Sequence, residues 1–177
     1  MKYPTIFNLI ADVFKKAGVS GVLIGGFAVN QYCPPRFTGD IDFLVTEEIY
    51  DQILPVLKKT GFREGTRQHL FARLEGNAPD FLDIDFLFVD HQTFSLVVKD
   101  GKKENVLGET FIVASLEHLI ALKLHSIKNN PKRELADMVD IMNLIRAGKV
   151  NVKMKRFRDL CLKYGSQELY EKIIRAI

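Results

Sequence analysis

The chain has 177 residues, of which 47% are hydrophobic and 27% are charged. This balance excludes an intrinsically disordered chain, and the length suits one domain with a modest addition. The 25 Lys and Arg residues against 22 Asp and Glu residues give a formal net charge of +3, which is too small for a nucleic-acid coat protein. The only two cysteines, Cys33 and Cys161, exclude a disulfide framework and a zinc knuckle and fit a reducing compartment.

The first residues lack the pattern of a signal peptide, since Asn8 and Asp12 interrupt their apolar run. No apolar stretch approaches the roughly 20 residues that a membrane span needs. We therefore expect a cytoplasmic protein without a membrane partner.

The first half of the chain predicts alternating helices and strands. Apolar residues at helical spacing predict an amphipathic helix over 4–17, which Gly18 ends. A short strand before the Gly25-Gly26 turn comes next, and a short helix over 27–33 is stopped by Pro34 and Pro35. The remaining predicted elements of this half are a strand at 40–46, a helix from Glu47 that contains Pro55 and ends at Gly61, and strands at 69–75, 80–90, 104–107 and 110–114.

From Ser115 onwards the spacing of apolar residues is helical throughout. It predicts helices over 115–130 and 132–148 and two shorter helices before Ile177. The expected organisation is an α/β (α+β) core over 1–114 and a helical C-terminal subdomain over 115–177 packed on that core.

The chemistry-bearing residues are concentrated between Gly25 and Asp42. Asp40 and Asp42 stand at i and i+2 of a predicted strand, so both carboxylates project from the same face. A divalent cation would relieve their repulsion, and Mg²⁺ favours oxygen ligands of this kind together with phosphate oxygens. The paired glycines allow a phosphate to approach the backbone, and the amides at the start of the next helix, at 27–30, would face that anion.

Each motif alone has an ordinary structural interpretation. Gly-Gly is usually a turn, and an Asp-x-Asp is often two solvated acids on an edge strand. Their combination, with Arg36 and Thr38 between them and a further acid pair downstream, favours a functional site.

Three motifs together resemble the nucleotidyltransferase superfamily that includes DNA polymerase beta, the aminoglycoside and lincosamide nucleotidyltransferases and the AbiEii-type toxins. The family pattern is hG[GS], then Dh[DE]h, then a third carboxylate in a later hydrophobic strand. Here these are Ile24-Gly25-Gly26, Asp40-Ile41-Asp42-Phe43, and either Asp83 or Asp85. The helical segment is also similar to the AbiEii-like group, although Ala136 replaces a lysine that often precedes the aspartate there and Gly26 replaces the serine of some members.

The resemblance implies a minimal nucleotidyltransferase fold, a small mixed sheet flanked by helices with a helical C-terminal subdomain. It also implies transfer of an NMP from an NTP, such as ATP, to a hydroxyl, with two Mg²⁺ ions held by the carboxylates. We expect Asp40 and Asp42 to bind metal, and Gly25 and Gly26 to hold the β and γ phosphates. Strand alternation places Asp83 and Asp85 on the same face, and we favour Asp85 as the third acid because Ile-Asp-Phe-Leu around it repeats the sequence around Asp42.

Two further residues keep two interpretations each. Arg36 pairs either with an acid of the cluster or with the triphosphate, and Lys123 is either a phosphate contact or a lysine that reaches solvent from the edge of a buried helix face. Thr38 lies between the motifs and is grouped with the nucleotide-binding residues.

The acceptor is open from the sequence. It is RNA such as tRNA, a protein or a small molecule, in a toxin–antitoxin or resistance setting, and a basic stretch over 146–163 would suit a polyanion. The alternative is a catalytically retired interaction module that acts as a toxin–antitoxin partner.

Overall fold

A computed structural model describes residues 3–77 and 81–177, which form two compact units. The α/β unit contains the residues up to Ala28 together with Arg36–Ser115. The helical unit contains Val29–Pro35 and Leu116–Ile177. The sequence pattern did not indicate that 29–35 groups with the helical unit.

The α/β unit is built on a seven-stranded mixed sheet. Two neighbouring pairs, β2 with β5 and β1 with β7, are parallel, and the other four pairs are antiparallel. The strands are β1 (Val22–Ile24), β2 (Asp40–Val45), β3 (Phe62–Gln68), β4 (Phe71–Gly76), β5 (Asp83–Phe88), β6 (Lys102–Val106) and β7 (Glu109–Val113), in the spatial order β3-β4-β5-β2-β1-β7-β6. This sheet with its helices confirms the predicted mixed α/β class.

Local signals define the helices that accompany the sheet. Helix α1 begins after Thr5, whose hydroxyl accepts from the Asn8 amide in a capping box, and ends at Gly18, whose φ of 66° is left-handed. The other helices of this part of the chain are α2 (Gly25–Val29), α3 (Glu47–Lys59) and α4 (His91–Asp100), and α1 spans Ile6–Ala17.

One face of the sheet is apolar and covered by α1 and α3. Phe14 of α1 packs edge-on against Phe43 of β2, and Tyr50 of α3 packs edge-on against Phe86 of β5. Because side chains alternate along a strand, the residues between these aromatic anchors point to the opposite face. That face is where the acidic residues of β2 and β5 lie.

The helical unit buries the apolar face of each of its helices. These are α5 (Leu116–Asn129), α6 (Glu134–Ala147), α7 (Lys155–Tyr164) and α8 (Gln167–Ala176), with a 3₁₀ turn at Pro131–Arg133. Its buried core includes Leu124, Ile141, Leu144 and Ile173. Among the residues that the structure describes, every helix is too short or too polar to cross a bilayer.

The sequence analysis missed one strand and one helix of the structure. Strand β3 was not predicted because its sequence, FREGTRQ, is polar and mostly exposed at the sheet edge, and helix α4 was missed because it buries only Val97. The sheet of the described residues therefore has one strand more than the six that the sequence predicted. The strand expected over 80–90 is shorter, at Asp83–Phe88, and Asp80 lies outside the described residues.

Candidate active site

Three carboxylates meet on the polar face of the central strands. Strands β2 and β5 are parallel neighbours whose register places Asp42 beside Asp85. Asp40 lies two residues before Asp42 and shares its face. One carboxylate oxygen from each of Asp40, Asp42 and Asp85 lies within 4.8 Å of the other two. The structure therefore brings together the three acids that the sequence analysis selected.

Asp83 occupies a different environment from Asp85. Its carboxylate accepts a hydrogen bond from the Gly76 amide at 3.2 Å, and its register partner is Asp40 at the start of β2. Asp85 lies deeper, with a side chain that is 11% exposed. Of these two acids, Asp85 is the one that faces the cluster.

Arg73 is a cation that contacts the cluster, and the sequence analysis did not identify it. Its Nε and Nη2 atoms donate to the two oxygens of Asp85, each at 2.6 Å, and Nη2 lies 3.6 Å from an oxygen of Asp40. The hydrogen bonds that Arg73 donates to Asp85, together with the negative charges of Asp85, Asp40 and Asp83, raise the pKa of Arg73. The antiparallel register of β4 and β5 pairs Arg73 directly with Asp85, and strand periodicity in the sequence does not report that pairing.

Gly25 and Gly26 are packed against the chain's own side chains. A Cβ at Gly25 would lie 1.9 Å from an Asp42 carboxylate oxygen, and a Cβ at Gly26 would lie 2.5 Å from the Thr38 hydroxyl. The Thr38 hydroxyl in turn donates to the Asp40 carboxylate at 3.3 Å. The glycines therefore let Asp42 and Thr38 approach the backbone at the end of β1.

The predicted helix start after the glycines was wrong. Helix α2 begins at Gly25 itself, so the amides of 27–30 are not its first. Gly25 has a φ of 63°, and this left-handed conformation turns the chain from strand to helix without an intervening loop.

Arg36 and Phe37 lie in the segment that leads into β2. Arg36 is exposed, and its Nη1 donates to the Phe37 carbonyl at 2.9 Å. The side chain of Phe37 is almost fully accessible at 90%. Arg73 contacts an acid of the cluster, Asp85, and both interpretations of Arg36 stay predictions.

Lys123 lies in the helical unit. One interpretation expected its side chain to reach solvent, but the residue is buried. Its Nζ atom is 2.8 Å from Asp137 and 2.8 Å from Asp140, and these aspartate side chains are 1% and 2% exposed. Arg133 also donates to Asp137, at 3.1 Å. Burial acts to raise the pKa of Asp137, but the hydrogen bonds from Arg133 and Lys123 outweigh it and lower that pKa.

All seven Lys and Arg residues of the basic stretch over 146–163 are exposed. Two of them have acidic partners, since Arg156 pairs with Glu117 and Lys155 with Asp159. A role in binding a polyanion stays a prediction.

The donor set of the cluster fits a hard divalent cation. All three groups supply carboxylate oxygens, which Mg²⁺ prefers, and their spacing allows shared coordination. Asp40, Asp42 and Asp85 would hold the ion. Arg73 already engages both oxygens of Asp85, but each carboxylate oxygen has a second lone pair.

The chain matches a known protein family over almost its whole length. Residues 3–175 match the family described as nucleotidyl transferase of unknown function (DUF2204). None of the curated proteins matches the chain in sequence.

Solved structures share the fold at low sequence identity. The structure of ANT(2")-Ia in complex with adenylyl-2"-tobramycin has a TM-score of 0.65 at 13% identity, over 88% of this chain and 92% of that one. An antigenic nucleotidyltransferase-like protein from Paracoccidioides brasiliensis has a TM-score of 0.61 at 17% identity, over 94% and 86%. The lincomycin-bound lincosamide antibiotic adenylyltransferase LnuA has a TM-score of 0.56 at 18% identity, over 77% and 92%.

Proposed function

We propose a function from the premise that this chain belongs to the nucleotidyl transferase family matched over residues 3–175. The proposed function is that of a Mg²⁺-dependent enzyme that moves an NMP from an NTP to a hydroxyl acceptor. The observation that carries the proposal is the cluster of Asp40, Asp42 and Asp85 on two parallel neighbouring strands. Family membership supplies the reaction class, and the cluster supplies a place for the metal.

The reaction divides the work between the carboxylates and the metal. The acceptor oxygen forms a bond to the α-phosphorus, the bond from that phosphorus to the bridging oxygen breaks, and pyrophosphate leaves. When bound, Mg²⁺ stabilises the charge on the attacking and leaving oxygens. Asp40, Asp42 and Asp85 would hold the ion, and a remaining lone pair of Asp85 would receive the proton that the acceptor hydroxyl loses.

Gly25 and Gly26 are proposed to contact the phosphates through their backbone amides. Asp42 and Thr38 occupy the positions where a Cβ of these glycines would lie, so the contact would have to come from the amides. Thr38 supports this arrangement through its contact with Asp40.

We propose ATP as the first donor to test and a small-molecule hydroxyl as the first acceptor. One structural neighbour is an antibiotic adenylyltransferase and another is bound to an adenylylated antibiotic, and the family is one of nucleotidyl transferases. RNA is the second acceptor class, because residues 146–163 contain seven Lys and Arg residues against the single acid Asp159.

The experiment is an assay of each α-³²P-labelled NTP with Mg²⁺ against aminoglycosides, lincosamides, total tRNA and lysate protein. Labelled product from the wild type that disappears in Asp42→Ala supports the proposal. Asp159→Ala is the matched control, because it removes an acid from the helical unit and leaves the cluster intact.

The alternative is an interaction module without turnover. The observation that favours it is the ion pair that Asp85 already makes with Arg73. Mg²⁺-dependent NTP binding with no labelled product from any acceptor class would support the module. Absence of both binding and turnover would overturn the nucleotide site itself.

A further inference from the structure

The acidic cluster contains a cation of the protein's own. Arg73 contacts Asp85 through a two-pronged hydrogen bond and comes within 3.6 Å of Asp40. Its positive charge therefore lies among the carboxylates that would bind metal. We propose that Arg73 is a positioning residue that acts in two separable ways: its charge weakens metal binding by the cluster, and its planar fork orients Asp85 for turnover.

The charge effect follows from the distances. A guanidinium that contacts two of three carboxylates lies a few ångströms from any ion that those carboxylates share. At about 5 Å, a unit positive charge repels a divalent cation enough to weaken its binding about tenfold even with water-like screening. Removing the charge therefore strengthens metal binding.

The orienting effect follows from the shape of the guanidinium. Its Nε and Nη2 atoms fix both oxygens of Asp85 at 2.6 Å, which a single ammonium group cannot reproduce. Asp85 thereby keeps one carboxylate oxygen beside Asp40 and Asp42. Loss of the fork leaves the carboxylate free to rotate, and the proton acceptor loses its alignment.

The inference rests on the proposed metal site and is tested by measuring Mn²⁺ binding directly. Electron paramagnetic resonance of free Mn²⁺ would give the affinities of the wild type, Arg73→Met, Arg73→Lys and Asp42→Ala. Arg63→Met is the matched control, because Arg63 pairs with Glu75 on the neighbouring strands and its loss changes the net charge equally. Thermal melts in EDTA confirm that each variant is folded.

We expect Arg73→Met to bind Mn²⁺ about tenfold more tightly than the wild type, with Arg73→Lys and Arg63→Met within about twofold of it. Turnover should show the opposite pattern: kcat falls at least about tenfold in both Arg73 variants while KM for the NTP does not rise. If Arg73 served only the stability of the fold, Arg73→Met would not bind Mn²⁺ more tightly than the wild type. The Mn²⁺ affinities of Arg73→Lys and Arg73→Met would then not differ.

If the wild type binds Mn²⁺, two results would overturn this inference and leave the proposed metal site intact. One is a Mn²⁺ affinity in Arg73→Met equal to or weaker than that of the wild type. The other is full recovery of kcat in Arg73→Lys. Equal, negligible binding by the wild type and Asp42→Ala would instead overturn the metal site, and the inference with it.

Discussion

Lys123 offers the sharpest test of which residues serve structure and which serve the nucleotide. Its ammonium group bridges two buried carboxylates at 2.8 Å each, and Arg133 also pairs with Asp137. Removing one partner of a buried ion pair typically costs about 3–5 kcal/mol. Because Arg133 remains on Asp137, we expect Lys123→Met to lower the free energy of unfolding by about 3 kcal/mol, the lower end of that range.

The matched control is Lys128→Met, the same substitution on the exposed side of the same helix. Urea denaturation followed by circular dichroism measures both variants, and a loss of about 3 kcal/mol corresponds to a melting temperature lower by roughly 6–12 °C for a chain of this size. Adding Asp140→Asn to Lys123→Met should recover part of the loss, since it removes one of the charges left behind.

The pH dependence gives an independent check with a defined sign. The folded state lowers the pKa of Asp137, so its ionisation contributes stability above the unfolded pKa of about 3.9 and loses that contribution as pH falls through the folded value. Without Lys123 that contribution is smaller. The stability difference between wild type and Lys123→Met should therefore shrink as pH falls from 6 towards 3.

Two results would refute this account of Lys123. One is a stability loss equal to that of Lys128→Met. The other is an NTP KM at least tenfold higher in a variant whose stability is unchanged, which would return Lys123 to the nucleotide-binding group.

Three further predictions concern the acidic cluster and the thiols. Gly25→Ala should abolish Mn²⁺ binding and Gly18→Ala should not. Both glycines have φ near 65°, but only at Gly25 would a Cβ lie against Asp42. Equal Mn²⁺ binding by the two variants would contradict this account of the packing. Asp85→Asn should lower kcat at least about a hundredfold and Asp83→Asn less, and the reverse order in a steady-state assay would exchange their roles. Burial raises the pKa of Cys161 to about 12, so a thiol reagent at pH 8 should label it only after unfolding, and rapid labelling of the native protein would show that the helical unit opens.

The sequence by itself predicted the order of the main elements and selected Asp40 and Asp42, with Asp85 favoured over Asp83 as the third acid. Alternation along a strand is a local property, so Asp40 and Asp42 had to share a face, and the repeat of Ile-Asp-Phe-Leu indicated that Asp85 would be the equivalent residue of a neighbouring strand. The structure shows that neighbour, with Asp42 and Asp85 in register. Their roles in binding metal stay predictions.

Only the tertiary structure decided which groups surround those acids. A polar edge strand such as β3 has no hydrophobic pattern to reveal it, because pairing rather than burial makes it a strand. Arg73 and Lys123 are cations whose partners come from another strand or another helix, and neither helical nor strand periodicity reports such pairings. The close approach of Asp42 to Gly25 likewise depends on how β1 and β2 are paired, which spacing along the chain does not specify.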